Sequence, residues 1–249
     1  MNVINQDTRQ GQWFAALILA LGLAAAAAIW GRAFVAARMA GEGLSVKGYA
    51  EAGAVSELAV WNCSVSARAT DLARAAVDLE EQARRAATWL EANGVPPAEW
   101  EWLPLQTETL YQRASERDYS NTTVAGYLLT RPLRVTSKRV TEIAALSLKT
   151  ESLLREGVSW NSQAPEFYLG NLEELKLDLL GKAAADARRR AEVLVGGPRR
   201  LGGLRDARQG IIQVTPPNTV DVADYGMYST ETIRKTVKAV VTVTFALRP

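Results

Sequence analysis

Residues 13–30 form a stretch that is apolar throughout and carries no charged side chain, WFAALILALGLAAAAAIW. As an α-helix with a rise of ~1.5 Å per residue, it would be roughly 27 Å long, close to the thickness of a bilayer's hydrocarbon core. Trp13 and Trp30 stand at its two ends, where membrane proteins place interfacial aromatic residues. The stretch therefore predicts a transmembrane anchor that contacts membrane lipid.

Two other interpretations of residues 13–30 remain open. The first is a cleaved secretory signal, with Arg9 in front and small residues at 35–37 as a cleavage site, although the run exceeds the ~7–15 residues usual for the apolar part of a signal. The second is a helix buried in a globular core, which a helix without a polar face rarely is in a chain of this size.

The charges beside the apolar run bear on its orientation. Arg9 is offset by Asp7 on one side, whereas Arg32 and Arg38 follow on the other. Taken literally, the positive-inside rule would place the large C-terminal part in the cytoplasm. The difference amounts to about one charge, so it is a weak guide.

Composition excludes several classes of protein. The 29 Lys and Arg residues nearly balance the 27 Asp and Glu residues, which argues against a dedicated nucleic-acid binder. The chain has no histidine, the commonest general base and metal ligand, and a single cysteine, Cys63. Neither an intrachain disulfide nor a thiolate metal cluster can form. We predict that Cys63 is buried in a strand, with an intermolecular bridge or a redox sensor as the alternative.

Periodicity and breakers predict the remaining elements. Strands are predicted at 44–49, 57–69, 100–111, 122–136, 158–169, 203–215 and 232–247, and helices at 71–93, 137–156 and 171–195, with loops at 112–121 and 216–229. Pro132 predicts an edge position or a bulge in its strand. The pattern predicts an α+β fold, a mainly antiparallel sheet with helices packed on one face, preceded by one N-terminal transmembrane helix.

The predicted organisation has four parts: a tail at 1–12, the anchor at 13–30, a linker at 31–43 that is helical at first, and a soluble domain at 44–249. Apolar stripes indicate which helix faces are buried. In the first soluble helix the stripe is Leu72, Ala76, Leu79, Ala83, Ala87 and Leu90. In the last it is Leu172, Leu175, Leu179, Ala183, Ala187, Ala191 and Leu194, whose alanines would allow close packing on a sheet.

No catalytic, cofactor or metal site is predicted, and we expect the protein not to be an enzyme. The glycine-rich run at 196–203 follows a helix and precedes a strand, the reverse of a phosphate loop. The acidic pairs at 80–81 and 173–174 point apart on their helices, and Ser66 and Ser137 have no visible base. Two sequons, at 62–64 and 121–123, have meaning only in a eukaryotic secretory pathway.

Three sets of side chains are candidates for binding surfaces. Each is interpreted first as ordinary surface or core, and second as a contact with anionic lipid or another subunit. The first basic set is Arg188, Arg189, Arg190, Arg199, Arg200, Arg205 and Arg208; the second is Arg131, Arg134, Lys138 and Arg139; the aromatic set is Trp89, Trp100, Trp102 and Tyr111.

The order of short motifs resembles the SIMPL domain family over residues 44–247. The matching segments are Val46-Lys47-Gly48, the stretch from Leu90 to Gly94-Val95, Gly126-Tyr127, Phe167-Tyr168-Leu169 before the alanine- and arginine-rich helix, Leu201-Gly202, and the closing strand at 241–245. The chain departs from the family at Ser56-Glu57, where an acidic residue and a proline are usual. The resemblance implies a bacterial cell-envelope protein exposed to the periplasm, with ring- or channel-like homo-oligomers and a link to oxidative stress in some members, and no catalytic residue set.

The leading hypothesis is therefore a single-pass inner-membrane protein whose periplasmic SIMPL-type domain self-assembles into a large homo-oligomer. The alternative is an envelope enzyme or ligand-binding protein of unknown substrate, which a large pocket with convergent polar groups would favour. No nucleic-acid partner is expected. We expect the strands at 57–69 and 232–247 to supply the exposed edges that drive assembly, because they carry no run of charges.

Overall fold

The computed structural model describes residues 7–41, 43–115, 118–197, 200–219 and 226–248. The helices in these ranges are α1 (Asp7–Gly41), α2 (Leu72–Ala92), α3 (Val140–Ser147), α4 (Glu151–Arg155) and α5 (Leu172–Val195). The strands are β1 (Gly43–Val55), β2 (Leu58–Ala69), β3 (Trp100–Trp102), β4 (Gln106–Ser115), β5 (Asp118–Ser137), β6 (Trp160–Ser162), β7 (Glu166–Tyr168), β8 (Arg200–Thr215) and β9 (Arg234–Arg248). The protein is therefore α+β with mainly antiparallel strands, as the sequence predicts.

Helix α1 is longer than the predicted anchor. It runs for 35 residues, so most of the predicted linker at 31–43 is helical. The part apolar enough to cross a membrane is Ala16–Phe34, 19 residues of mean hydropathy 1.9, none of it buried. Burial against the rest of the protein therefore does not explain its composition, and the interpretation as a core helix is excluded. An anchor and a signal sequence both remain consistent with it.

The chain divides into two compact units. Unit 1 consists of the described residues of Met1–Ala50, Leu180–Gly210 and Val240–Pro249, and unit 2 of those of Glu51–Leu179 and Ile211–Ala239. Strands β1, β9 and β8 form a three-stranded sheet in that order, and all three are long enough to contribute residues to both units.

Unit 2 is built on a six-stranded sheet in the order β3-β5-β2-β6, with β4 also pairing with β5 and β7 with β2. Helices α2 and α3 pack on it, and the core includes Trp61, Val65 and Leu133, each fully buried. Alternation placed the β2 side chains correctly: Ala59, Trp61, Cys63 and Val65 are buried, while the residues between them are half-buried.

The strand β2 and the strand β9 are both interior. β2 lies between β5 on one side and β6 and β7 on the other, and β9 lies between β1 and β8. The expectation that residues 57–69 and 232–247 present exposed edges is therefore wrong. In both strands apolar side chains recur at every second position, which suits an interior strand whose hydrogen-bonding groups are covered by neighbours on both sides. The edges of the three-stranded sheet are β1 and β8 instead.

Three predicted elements in unit 2 also have wrong boundaries. Residues 112–121, predicted as a loop, continue β4 and β5 as a long antiparallel hairpin in which Gln112 pairs with Thr123. Cross-strand pairing overrides the weak strand preference of its polar residues. Residues 116–117 at its tip lie outside the described residues. The predicted helix at 137–156 is divided into α3 and α4, and the predicted strand at 158–169 into β6 and β7.

Pro132 lies in an interior strand rather than at an edge or bulge. It is opposite Ser64 of β2, and its carbonyl oxygen accepts a hydrogen bond from the Leu103 amide at 2.9 Å on the other side. The N–H and C=O of one strand residue point to the same side, so the nitrogen without a proton faces the interruption between β3 and β4. The interruption gives this proline the equivalent of an edge position.

The buried face of α2 is rotated from the predicted stripe. Leu79, Ala83 and Leu90 are buried as predicted, but Leu72 and Ala76 are exposed, and the buried set also includes Ala75, Ala86 and Trp89. Asp71 caps the helix by accepting a hydrogen bond from the Arg74 amide at 2.9 Å.

In unit 1, α5 packs on the three-stranded sheet through the alanines predicted for that purpose. Ala183, Ala187 and Ala191 are fully buried in a cluster with Val46, Val241, Val243 and Phe245. Leu194, predicted in the same stripe, is 65 % exposed. The stripe therefore describes the middle of α5 and not its C-terminal turn.

Candidate functional site

A concavity of unit 1 lies between β1 and the C-terminal half of α5. It has a volume of about 590 Å³ and is lined by Val46, Lys47, Asp186, Arg189, Arg190, Val193 and Leu194. We call it the β1–α5 groove. It joins basic side chains to apolar ones and is open to solvent on one side.

Asp186 organises the polar half of the β1–α5 groove. Its Oδ2 accepts a hydrogen bond from the Tyr49 amide at 3.0 Å and another from Nε of Arg190 at 2.7 Å. The Tyr49 amide, and then the Arg190 guanidinium, hold the pKa of the Asp186 carboxyl below its ordinary value despite partial desolvation. Asp186 is therefore ionised, and it fixes the position of the arginine.

The second arginine of the groove is held less tightly. The guanidinium of Arg189 lies 3.7 Å from Asp186, beyond hydrogen-bond distance, and its side chain is 76 % exposed. Lys47 is exposed on β1. One carboxylate thus faces three cations, so the groove carries a net positive charge.

A concavity of unit 2, of about 540 Å³, lies between α2, the segment that joins β3 to β4, and β5. Arg131 and Trp102 both line this concavity, and the Arg131 guanidinium lies over the Trp102 ring, 5.0 Å from its centre. Leu105, which also lines the concavity, is 52 % exposed. Trp100 packs against Trp102 edge to face, with ring centres 5.8 Å apart. Glu80 and Arg131 are the charged residues that line this concavity.

The predicted basic set on β5 and after it does not form one patch. Arg139 bridges Glu99 at 2.8 Å and Glu142 at 3.0 Å, and Arg134 donates to Asn62 at 3.3 Å. Arg139 and Arg134 thus each tie neighbouring segments together.

The other predicted basic set is partly neutralised. Arg188 pairs with Glu192, and Arg208 with Asp206, both at about 3 Å. Arg199 and Pro198 lie outside the described residues, so the glycine-rich run at 196–203 is described only in part. Its flanks are α5 and β8, which is the helix-then-strand order that the sequence predicts.

The predicted acids and hydroxyls have structural roles. Glu81 pairs with both Arg84 and Arg85, and Glu173 with Lys176. The Ser137 hydroxyl is buried and accepts a hydrogen bond from the Arg139 amide at 3.0 Å. In the described part of the chain, no group of three or more His, Cys, Asp or Glu residues is placed to hold a metal ion.

Cys63 is buried in β2, as predicted. It is 5 % exposed, and burial strongly raises the pKa of its thiol, against a smaller opposite effect of the hydrogen bond with Ser162. The thiol is therefore un-ionised at neutral pH, which makes it a poor nucleophile.

The aromatic centre of unit 2 was only partly predicted. Trp160 packs edge to face on Trp61, with ring centres 5.9 Å apart, and lies 6.4 Å from Trp89. Trp89 belongs to the core as predicted, whereas Tyr111 is 65 % exposed. Alternation along β2 predicts Trp61 on the same buried face as Val65, and the structure confirms it.

Lys235 is a buried cation that the sequence reasoning missed. It is 1 % exposed, and its Nζ donates a hydrogen bond to the Ser229 carbonyl at 2.5 Å. Burial lowers the pKa of this amine, while the charge of Glu231 acts in the opposite direction. Its parity along β9 matches Val237 and Ala239, so the alternation that identified the strand also indicated an inward lysine.

The described residues define the class of protein: an α+β domain that follows an exposed apolar helix. Residues 44–245 match the model of the SIMPL family, described as a protein of unknown function (DUF541). The match covers most of the chain, and the protein belongs to the SIMPL family.

Other comparisons add little. No curated protein matches the chain. A solved structure described as a proposed amidohydrolase/peptidase from Burkholderia cenocepacia is similar at 17 % identity and a TM-score of 0.21, with 53 % of this chain covered. The match spans 33 % of that chain. A similarity at this TM-score carries no argument about activity.

Proposed function

We propose that the protein is a membrane-anchored member of the SIMPL family whose folded part lies in the periplasm and self-associates, without an enzymatic activity of its own. The observation that carries this proposal is α1. Its apolar window Ala16–Phe34 is long enough to cross a bilayer and is not buried against the protein. The family domain begins immediately after the helix, at residue 44.

The periplasmic placement is supported by the resemblance to envelope proteins, against a weak opposite charge bias. The charge bias amounts to about one residue, so Arg32 and Arg38 are a weak guide to the side on which the domain lies. A cysteine at exposed Arg155, on α4, tests it, because Cys63 is buried. We expect Arg155→Cys to react with a membrane-impermeant maleimide in spheroplasts. Reaction only after lysis would place the domain in the cytoplasm.

Self-association is supported by the edge strand β1. Its second half alternates exposed positions with half-buried alanines at 50, 52 and 54, and between Ala50 and Val55 it has a single charge, at Glu51. Tyr49 and Val55 are 39 % and 60 % exposed. An edge of this length with little charge is suited to pairing with another chain. The opposite edge, β8, carries Arg205, Asp206 and Arg208, which blunt it.

The mass of the detergent-extracted full chain tests self-association. We expect light scattering to give a protein mass several times the 27.1 kDa of one chain, unchanged on tenfold dilution. Gly53→Lys places a charge on β1 where a β-carbon meets open space, and it should reduce the mass to that of a small oligomer or monomer. Thr136→Lys, on the exposed face of interior strand β5, is the control and should leave the mass unchanged. A monomeric wild-type chain would refute self-association.

A further inference from the structure

Charge is divided unevenly between the two units. The sequence of unit 1 after α1, residues 43–50, 180–210 and 240–249, has 10 Lys and Arg residues against 3 Asp and Glu residues, a formal charge of +7. The sequence of unit 2 has 16 against 22, a formal charge of −6. The net charge of the whole chain, only +2, conceals this separation.

The basic unit is the one that follows the apolar helix. The apolar window ends at Phe34, and α1 continues to Gly41. These seven further residues add about 10 Å, somewhat more than the headgroup layer on one side of a bilayer. A single residue then precedes β1 at Gly43. Strand β1 therefore begins close to the lipid–water surface if α1 spans the membrane.

The β1–α5 groove extends towards that end of unit 1. Helix α5 runs opposite to β1, because Tyr49 contacts Asp186 whereas Val46 and Lys47 line the groove with Val193 and Leu194. The C-terminal turn of α5 consequently lies beside the start of β1. Val193 and Leu194 in this turn are 81 % and 65 % exposed.

Basic and apolar side chains on one surface suit the interface of an anionic bilayer. Arginine guanidinium groups bind phosphate oxygens in bidentate fashion, and exposed apolar side chains enter the boundary between headgroups and acyl chains. Arg189, which Asp186 holds only at 3.7 Å, is available for a phosphate, and Lys47 lies across the groove.

We propose that the β1–α5 groove binds the headgroups of anionic phospholipids, with Lys47, Arg189 and Arg190 contacting phosphate and with Val193 and Leu194 entering the membrane interface. This inference rests on the proposed anchoring by α1, which brings the groove to the bilayer. The competing occupant of a basic surface is the acidic unit 2 of a second copy. The bilayer is favoured because the chain itself places β1 beside it.

A fluorophore at position 194 tests the proposal in the full chain. Leu194→Cys is labelled with an environment-sensitive dye, and Cys63 stays unlabelled because it is buried. The protein is placed, one copy per nanodisc, in phosphatidylcholine alone or with phosphatidylglycerol at a quarter of the lipid. We expect an emission blue shift and at least twofold weaker quenching by neutral acrylamide in the anionic discs, reversed by high salt.

Matched arginine pairs separate this site from a general charge effect. Arg189→Gln with Arg190→Gln should abolish the difference between the two lipids. Arg84→Gln with Arg85→Gln, an exposed adjacent pair on α2 in unit 2, should leave it intact. Equal quenching in both lipids, or an equal effect of both double variants, would overturn the proposal. Protection that appears only with several copies per disc, whatever the lipid, would assign the groove to a second copy and overturn it also.

Failure of the anchor would give a different result from failure of the lipid site. If the chain is released from membranes at alkaline pH but still sediments at neutral pH with phosphatidylglycerol vesicles and not with phosphatidylcholine vesicles, the anchor is refuted and the lipid site is supported. If the chain is retained in membranes at alkaline pH but the dye signal is the same in both lipids, the anchor is supported and the lipid site is refuted.

Discussion

Gly48 of β1 lies directly against the backbone of α5 at Ala183: a β-carbon built on Gly48 would be 2.0 Å from the Ala183 carbonyl oxygen. The same β-carbon would be 2.7 Å from the Ala187 amide nitrogen. The obstacle is helix backbone, which cannot turn aside as a flexible side chain would. The Val46-Lys47-Gly48 segment of the family motif therefore marks where α5 rests on the sheet.

Substitution of Gly48 should destabilise unit 1. We expect Gly48→Ala to cost about 3 kcal/mol and to lower the melting temperature of the full chain in mild detergent by roughly 6–12 °C. Gly53→Ala in the same strand is the control, because its β-carbon would meet nothing within 4 Å. Near-ultraviolet circular dichroism measures both. Equal melting temperatures for the two variants would contradict the close packing of β1 on α5.

Trp61 and Trp160 should differ when each is replaced by phenylalanine. The Trp61 Nε1 donates hydrogen bonds to Ser162 Oγ at 2.9 Å and to the Gln163 carbonyl at 3.1 Å. The buried Nε1 of Trp160 has no partner among the described residues. Trp61→Phe should therefore cost about 1–2 kcal/mol more than Trp160→Phe, since it leaves acceptors unpaired. Denaturant titrations of both variants measure the difference, and a larger loss for Trp160→Phe would contradict the assignment.

Cys63 should react slowly with thiol reagents in the native protein. Its burial between Trp61 and Val65 in β2 limits access, and the raised pKa leaves little thiolate. We expect labelling at least ~100-fold slower than in denatured protein at the same pH. Time-resolved labelling followed by mass spectrometry provides the rates. Rapid labelling of folded protein would show that the thiol faces solvent.

The Glu99–Arg139 ion pair should make stability depend on pH in the acid range. The hydrogen bond from Arg139 lowers the pKa of Glu99 from its ordinary value of 4.5. A lowered folded-state pKa means that the contribution is complete above pH 4.5 and is lost as the pH falls through the folded value. The melting temperature of the wild-type protein should therefore exceed that of Glu99→Gln at neutral pH. The two melting temperatures should become equal as the pH falls into the acid range.

Glu151→Gln is the control for this pH dependence. Glu151 pairs with Arg155, but both side chains are 78 % exposed, so the pair should contribute little at any pH. A difference between wild type and Glu99→Gln that grows on acidification would have the wrong sign for the proposed linkage.

Sequence patterns predicted the strands and helices whose local residue spacing matches the structure that they adopt. β2 and β9 have strict apolar alternation, and α5 has alanines at the spacing of a packed helix, so each was found from the sequence. The outer part of the β4–β5 hairpin, residues 112–121, was predicted as a loop because its residues are polar and show no apolar alternation. Pairing between the two strands forms the hairpin despite that composition. Although residues 137–156 are divided into α3 and α4, Val140, Ile143, Leu146 and Leu153 are all buried.

The candidate groove could not be predicted from the sequence. Its two halves, Val46-Lys47 and the end of α5, lie about 140 residues apart in the chain. The charge of unit 1 was hidden for the same reason, because three separate segments build that unit. Lys235 is different: its parity along β9 was readable, and only the usual preference of lysine for the surface concealed it.

Retention of α1 in membranes is the most direct test of the account. Membranes containing the full chain are washed in alkaline carbonate, and the intact mass of the chain in the pellet is measured. The account predicts that the protein stays in the pellet with residues 16–34 still attached. A shorter chain that begins beyond Phe34 and is recovered in the supernatant would contradict it, and would identify the helix as a cleaved signal.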